Sequence, residues 1–181
     1  MSLRRLGLSP FTAHNHAYSG GPDLARVLQD LPIGPNDAIL DLGCGKGGAL
    51  LTMAQFPFGK LAGLDLSAEM IAIARRNLAI AGHEHVELIE GDACIFDDYD
   101  DFTYIYMYNP FPREVMRQAI DTIERSLARR PRSLTIIYKN PRFHEEIVAN
   151  GVFAELRRYD HSGHPFVVYR SQPTPGATAQ T

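Results

Sequence analysis

Apolar residues in this sequence occur either in short continuous runs or in longer segments where they recur every three or four positions. The short runs are rich in β-branched and aromatic residues and end at turn residues, which is typical of strands. They cover residues 38–42, 61–66, 86–89, 102–108, 134–138, 153–159 and 166–170.

The longer segments between these runs have the spacing of amphipathic helices. Ser67 is a suitable N-cap for one helix, whose apolar face continues to Gly82. Another helix is expected to begin after Pro112 and to end before Pro131. The remaining helices are expected after residue 21, at 49–56 and at 143–150.

This alternation of strands and helices predicts an α/β fold with a doubly wound, mostly parallel, seven-stranded Rossmann-like sheet. The last two runs are different, because only residues 160–165 separate them. Two strands joined by a turn pair antiparallel, since a parallel pair needs a long crossover. We therefore expect an antiparallel terminal hairpin.

The two ends of the chain lack this alternation. Residues 1–21 contain a polar stretch and the pair Gly20-Gly21, which indicates a flexible N-terminal arm. Residues 171–181 are rich in Pro, Thr and Ala with few large apolar side chains, which predicts a disordered tail. One domain is expected between them, at residues 22–170.

The composition is that of a globular cytoplasmic protein, with 45% hydrophobic and 22% charged residues. A net charge of −3 gives no electrostatic reason to expect nucleic acid or an anionic membrane as the main partner. No run approaches the roughly 18 apolar residues of a membrane span, and the first residues lack the apolar core of a signal peptide. Cys44 and Cys94 are expected to be reduced thiols.

A glycine-rich turn, Gly43-Cys44-Gly45-Lys46-Gly47-Gly48, follows the first predicted strand. Glycines let the backbone turn sharply and let a ligand approach where a Cβ would collide. The spacing also fits a dinucleotide site, but the carboxylate of Asp41 just before the turn would repel a pyrophosphate. Two further strands end at Asp65 and Asp92, so carboxylates are expected at the carboxyl edge of the sheet.

The stretch from Asp41 to Gly47, Asp65, and Gly91-Asp92-Ala93 together resemble the successive motifs of class I S-adenosylmethionine-dependent methyltransferases. The resemblance covers about residues 22–170 and implies S-adenosylmethionine as the cofactor. It places Asp41 near the amino group of the cofactor, Asp65 at the ribose hydroxyls and Asp92 at the adenine amino group. The cofactor-binding residues that it implies are Asp41, Gly43, Cys44, Gly45, Lys46, Gly47, Asp65, Leu66, Asp92, Ala93 and Asn109.

The fourth predicted strand leads into Asn109-Pro110-Phe111, where this family places residues that face the methyl acceptor. These three residues partly resemble the Asn/Asp-Pro-Pro-Tyr/Phe motif of methyltransferases that act on planar amino groups, although one proline is missing. They are more similar to small bacterial class I enzymes with Asn-Pro-Phe at this place. Asn109 is thus the candidate catalytic residue, and its alternative role is that of a turn former.

Three functions remain open at this point. The first is methyl transfer to an unidentified acceptor, and the second is N-methylation of a protein amide or amine, or of a nucleobase, through Asn109. The third is a non-catalytic module that binds the cofactor and acts as a partner subunit.

Several other residues have two interpretations. Tyr18 could close over the cofactor or pack on the core. The pairs His14/His16 and His161/His164 do not have the spacing of a complete metal site, so no metal is expected. The arginines near the end of the long helix and in the sixth strand either bind an acidic substrate or are solvated; they are Arg129, Arg130, Arg132, Arg157 and Arg158.

Overall fold

The computed structural model describes residues 19–160 and 164–172. Tyr18, His14, His16 and His161 lie outside these ranges, as do residues 1–18 of the expected arm and 173–181 of the expected tail. The helices are Pro22–Gln29 (α1), Gly48–Met53 (α2), Ala68–Ile80 (α3), Arg113–Arg129 (α4) and His144–Val148 (α5), and a 3₁₀ turn spans Asp98–Asp101. The strands are Ala38–Leu42 (β1), Lys60–Asp65 (β2), Glu87–Glu90 (β3), Tyr104–Tyr108 (β4), Thr135–Lys139 (β5), Phe153–Tyr159 (β6) and Phe166–Ser171 (β7).

The strands form one seven-stranded sheet in the order β3-β2-β1-β4-β5-β7-β6. β2 pairs parallel with both β1 and β3, and β4 pairs parallel with β5. β7 pairs antiparallel with both β5 and β6. The predicted α/β fold class, with a mostly parallel Rossmann-like sheet and an antiparallel terminal hairpin, is confirmed.

The chain divides into two compact units, with the boundary after Asp92. In the N-terminal unit, every residue of β1 is buried and so is the centre of β2. Helix α3 begins where the sequence predicts, because the Ser67 hydroxyl oxygen accepts a hydrogen bond from the Met70 N–H at 3.3 Å. Gly82 follows the helix with a φ of 77°, in the left-handed region that favours glycine after a helix.

In the C-terminal unit, β5 is buried throughout and β4 is buried up to Met107. Several arginines proposed as substrate ligands have structural partners here. Arg129 donates to Asp100 at 2.8 Å, and Arg132 donates to the backbone oxygens of Phe102 and Tyr99 at 2.8 and 2.7 Å. These bonds join the end of α4 to the 3₁₀ turn.

Some element boundaries differ from the predictions by one or two residues. β4 begins at Tyr104 rather than 102, because Phe102 closes the 3₁₀ turn with a hydrogen bond to the Tyr99 oxygen at 3.1 Å. β7 includes Ser171, which the sequence assigned to the tail; its hydroxyl accepts from Leu134 N–H at 2.9 Å. Leu66 follows the end of β2 instead of belonging to it.

Among the residues described, no helix is both long enough and apolar enough to cross a membrane.

Gly63 in β2 faces the glycine-rich turn so closely that a side chain has no room. A Cβ at this position would lie 2.9 Å from the Cys44 sulfur and 2.8 Å from Leu50 Cδ1. We expect Gly63→Ala to lower the free energy of unfolding by about 1–3 kcal/mol, the usual cost of overpacking a core. Urea denaturation measures this change.

Gly34→Ala is the matched control, since the nearest atom to its Cβ would be 3.8 Å away. Its free energy of unfolding should stay within about 0.5 kcal/mol of the wild-type value. Equal effects of the two substitutions would contradict close packing at Gly63.

Candidate functional site

The turn after β1 depends on three glycines with left-handed backbone conformations. Gly43, Gly45 and Gly47 have φ values of 78°, 51° and 81°. Residues other than glycine adopt this left-handed backbone region only at a cost in free energy. The turn is bonded to β2, because the N–H groups of Gly43 and Cys44 both donate to the Leu64 oxygen, at 2.9 and 3.0 Å.

The carboxylate of Asp65 holds the next part of this turn. One oxygen accepts from the Gly45 N–H at 2.8 Å, and the other accepts from the Ser67 N–H at 2.9 Å. The backbone oxygen of Asp65 also accepts from the Gly91 N–H at 3.0 Å. The N-terminal unit thereby brings together the turn after β1, the start of α3 and the loop that contains Asp92.

Asn77 in α3 is a further residue of this arrangement, and the sequence analysis missed it. Its side-chain amide donates to the Lys46 oxygen at 3.0 Å, and the residue is buried. The sequence did contain a signal, since Asn77 is a polar residue beside Ala74 and Leu78 on the apolar face of the helix. A buried amide at such a position needs a hydrogen-bond partner.

Asp41 has an unusual environment for a carboxyl group. Only 2% of its surface is exposed, and its Oδ2 atom is buried with no hydrogen-bond partner among the residues described. Burial, and then the nearby carboxylate of Asp65, raise the pKa of Asp41 to about 8. An unpaired buried oxygen costs about 1–3 kcal/mol, so a cationic amine that binds here would relieve an existing cost.

Cys44 is buried beside these carboxylates and has a different role from them. Burial, and then the charges of Asp41 and Asp65, raise the pKa of its thiol well above the ordinary value. The thiol therefore stays neutral at physiological pH and fills the space next to Gly63. Any contact of this residue with a charged ligand has to come from its backbone.

The remaining cofactor-binding residues implied by the resemblance differ in accessibility. Lys46 and Asp92 are half-buried, and Ala93 is buried. Leu66, directly after Asp65, is 72% exposed. An exposed leucine at the end of a buried strand offers an apolar surface to a flat ligand.

The C-terminal unit holds Asn109, at the end of β4. Its φ is 42°, in the left-handed region, and its Oδ1 accepts a hydrogen bond from the Tyr138 hydroxyl at 2.9 Å. The next strand ends in the same way, since Asn140 after β5 has a φ of 52°. A left-handed backbone is typical of a turn, and the side chain of Asn109 has a defined orientation; its role stays a prediction.

Lys139 lies at the end of β5, in register with Tyr108 of β4. Only 6% of its surface is exposed, and its Nζ lies over the rings of Tyr108 and Phe166, 4.9 and 5.5 Å from their centres. Cation–π contacts of this kind stabilise a buried ammonium group. The sequence analysis did not single out Lys139, because it ends an apolar run and looks like an exposed strand terminus.

A metal centre has no support in the described part of the chain, where no group of three or more His, Cys, Asp or Glu side chains could hold an ion. His164 lies instead beside the ring of Tyr108, with 5.6 Å between the ring centres.

Comparison with known proteins agrees with the motifs. The profile of a family described as a methyltransferase domain matches residues 39–130, about half of the chain. The tRNA (guanine-N(7)-)-methyltransferase of Clostridium novyi is 35% identical over 85 residues, which are 44% of this chain and 40% of that protein. The release factor glutamine methyltransferase of Caulobacter vibrioides is 36% identical over 102 residues, 55% of this chain and 34% of that protein.

These matches span less than half of the length of either relative. Among solved structures, an RNA methyltransferase from Salinibacter ruber, in complex with S-adenosyl-L-homocysteine, is similar with a TM-score of 0.63. The similarity covers 89% of this chain and 96% of that one at 18% sequence identity, which is evidence for the fold alone. From the family profile and the motifs together, the chain belongs to the class I S-adenosylmethionine-dependent methyltransferase family.

Proposed function

We propose that this protein is an enzyme that transfers a methyl group from S-adenosylmethionine to an acceptor. The observation that carries the proposal is the buried carboxyl of Asp41, with an unpaired oxygen, beside a turn of three left-handed glycines. A turn that served only as a connection would gain nothing from an unpaired buried carboxyl group. The amino group of the cofactor is a cation that matches it.

The remaining contacts of the cofactor are part of the same proposal. The glycine-rich turn allows the methionine part of the cofactor to approach the backbone closely. Asp65 binds the ribose hydroxyls, because each of its oxygens accepts one backbone hydrogen bond and retains a second lone pair. Leu66 packs its exposed side chain on the adenine ring, while Asp92 and Ala93 bind its edge.

The cofactor supplies an activated methyl group on a sulfonium ion, so the protein has to align an acceptor rather than to provide an acid–base pair. We propose that Asn109 does this. The relatives carry names with different acceptors, a tRNA guanine and a release-factor glutamine. The acceptor of this chain therefore has to be inferred from its own residues.

Binding of the cofactor product is the first prediction of this proposal. S-adenosylhomocysteine at about 100 times its dissociation constant should stabilise the fold by about 2.7 kcal/mol and raise Tm. Thermal denaturation with and without the compound measures this, and NAD at the same concentration is the control. A shift with NAD and none with S-adenosylhomocysteine would overturn the assignment of the cofactor.

Asp65→Ala should weaken the binding of S-adenosylhomocysteine by about 1.5–3 kcal/mol, since charge-assisted hydrogen bonds to the ribose are lost. It should also lower Tm, because the same carboxylate holds Gly45 and Ser67. Asp37→Ala is the matched control, since Asp37 accepts from the Gly34 N–H at 2.9 Å in a distant loop. This control should change Tm and leave the calorimetric affinity intact; equal losses of affinity would assign Asp65 a structural role alone.

The raised pKa of Asp41 predicts a pH dependence of stability. In the unfolded chain this carboxyl loses its proton near its ordinary pKa of 3.8, whereas in the fold it keeps the proton up to about pH 8. The unfolded state thus binds fewer protons between about pH 4 and 8, so the contribution of Asp41 to stability falls across this window and is constant above it. Asp41→Asn should reduce the slope of unfolding free energy against pH, as measured by urea denaturation.

The same substitution separates a binding role from a structural one. The ammonium group of the ligand favours the ionised form of Asp41, so wild-type protein should release protons when S-adenosylhomocysteine binds at pH 7. Calorimetry in buffers of different ionisation enthalpy detects this release. Asp41→Asn should be more stable than wild type at pH 8, bind more weakly and release fewer protons; unchanged affinity would exclude Asp41 from the site.

A further inference from the structure

Two Asn-Pro steps lie side by side at the carboxyl ends of β4 and β5. Tyr108 and Lys139 are in register across these parallel strands, and Asn109 and Asn140 are the next residues. Both asparagines have positive φ, and each precedes a proline, which disfavours α conformations at the preceding position. Among the residues described, Asn109 alone of the two has its side-chain oxygen bound by a tyrosine hydroxyl.

The hydrogen bond from the Tyr138 hydroxyl decides whether the oxygen or the NH₂ group of the Asn109 amide can bind a ligand. Burial raises the pKa of Tyr138 to about 12. Hydrogen bonds from the backbone N–H groups of Phe143 and Arg142 to the phenol oxygen lower this pKa, but their effect is smaller. The hydroxyl therefore keeps its single proton, and that proton is donated to Asn109 Oδ1 at 2.9 Å. The amide oxygen is thus occupied, and within the described residues its NH₂ group has no partner.

Two cationic side chains lie near the tyrosines on either side of this amide. The Lys139 ammonium lies 4.9 Å from the centre of the Tyr108 ring. The Arg142 guanidinium acts on the hydroxyls of both Tyr108 and Tyr138, opposing the rise in their pKa that burial causes. The NH₂ donor of Asn109 and the exposed guanidinium of Arg142 attract an anionic oxygen.

We propose that the methyl acceptor is a carboxylate, one oxygen of which is bound by the NH₂ group of Asn109. This inference rests on the proposed methyl transfer and names the class of its substrate. An ammonium group has N–H donors and no acceptor, so it would direct an N–H toward an N–H of Asn109, and two donors repel each other. Tyr138 serves as a positioning residue, since it acts on the acceptor through Asn109.

The reaction balances without a base. A lone pair of the carboxylate oxygen forms the new O–C bond, the C–S bond breaks, and its electron pair stays on sulfur. A negative acceptor and a positive donor become a neutral methyl ester and a neutral thioether, and no proton is released. An ammonium acceptor would first have to lose a proton, and the nearby His164 would be the candidate base.

The side-chain amide resonances of Asn109 in ¹⁵N-labelled protein report binding directly. Benzoate and benzylamine are probes of equal shape with opposite hydrogen-bonding character, and each is titrated into protein saturated with S-adenosylhomocysteine. We expect benzoate to shift the Asn109 resonances and benzylamine to leave them unchanged. A shift with benzylamine, or with neither probe, overturns the proposal.

Asn109→Asp is the decisive variant, because it keeps the oxygen that Tyr138 binds and replaces the NH₂ donor by a negatively charged oxygen. It should weaken benzoate binding at least about tenfold, as loss of a hydrogen bond to a charged group predicts. Asn140→Asp introduces the same charge at the neighbouring Asn-Pro step and should change benzoate affinity less than Asn109→Asp. If both variants lost the same benzoate affinity, the added negative charge alone would explain the loss, and a specific contact with Asn109 would be contradicted.

Tyr138→Phe tests the positioning role. The amide of Asn109 then loses the bond that orients it, so benzoate affinity should fall about tenfold while affinity for S-adenosylhomocysteine is retained. If wild-type protein fails to bind S-adenosylhomocysteine at all, the proposed function has failed. If it binds S-adenosylhomocysteine but binds benzylamine in preference to benzoate, only the carboxylate proposal has failed.

A turnover assay gives an independent readout. Wild-type protein is incubated with methyl-tritiated S-adenosylmethionine and a deproteinised bacterial extract, and the product is then treated with mild alkali. Methyl esters release volatile methanol under these conditions, whereas N-methyl groups do not. Tritium that is mainly volatile supports a carboxylate acceptor, and tritium that is mainly alkali-stable overturns it.

Discussion

The carboxylate of Asp65 is the interaction on which the order of the N-terminal unit depends. Its two oxygens hold the turn after β1 and the start of α3, and its backbone oxygen holds the loop after β3. Each glycine loses more conformational entropy on folding than any other residue type, so a glycine-rich turn needs strong bonds to remain in one conformation. Charge-assisted hydrogen bonds to Asp65 supply them. Gly45 and Ser67 are thereby kept at fixed positions for a ligand.

Asp41 adds the opposite constraint, because its buried, unpaired oxygen weakens the fold. Burial and the nearby charge of Asp65 raise the pKa of Asp41, so it stays protonated until about pH 8. A cation bound beside it would favour its ionised form. Under the proposed function, ligand binding is therefore coupled to proton release, and the cationic amino group of the ligand offsets the cost of the unpaired oxygen.

Periodicity of apolar residues sufficed to predict the order of the elements and the antiparallel hairpin, because strand and helix spacings differ strongly. It was less successful at boundaries, because apolar spacing does not reveal hydrogen bonds. A bond to the Tyr99 oxygen places Phe102 in the 3₁₀ turn, and a bond from Leu134, distant in sequence, holds Ser171 in β7. The motifs identified Asp41 and Asp65 as candidates but not the protonation of Asp41, which follows from burial. Tyr138 was missed for the same reason, since it reads as one more apolar residue of a buried strand.

The charges of the described residues bear on the acceptor class that we propose. In the proposed site, Asp65 and, once the cofactor displaces its proton, Asp41 carry the negative charge, whereas Lys139 and Arg142 provide positive charge near Tyr108. Transfer to a neutral amine would create a new cation among these positive groups, which a low dielectric penalises. Transfer to a carboxylate removes one charge of each sign, so the transition state carries less charge separation than the reactants. In the proposed reaction the donor at Asn109 both binds the carboxylate and aligns it, so its loss should affect turnover through geometry as well as through affinity.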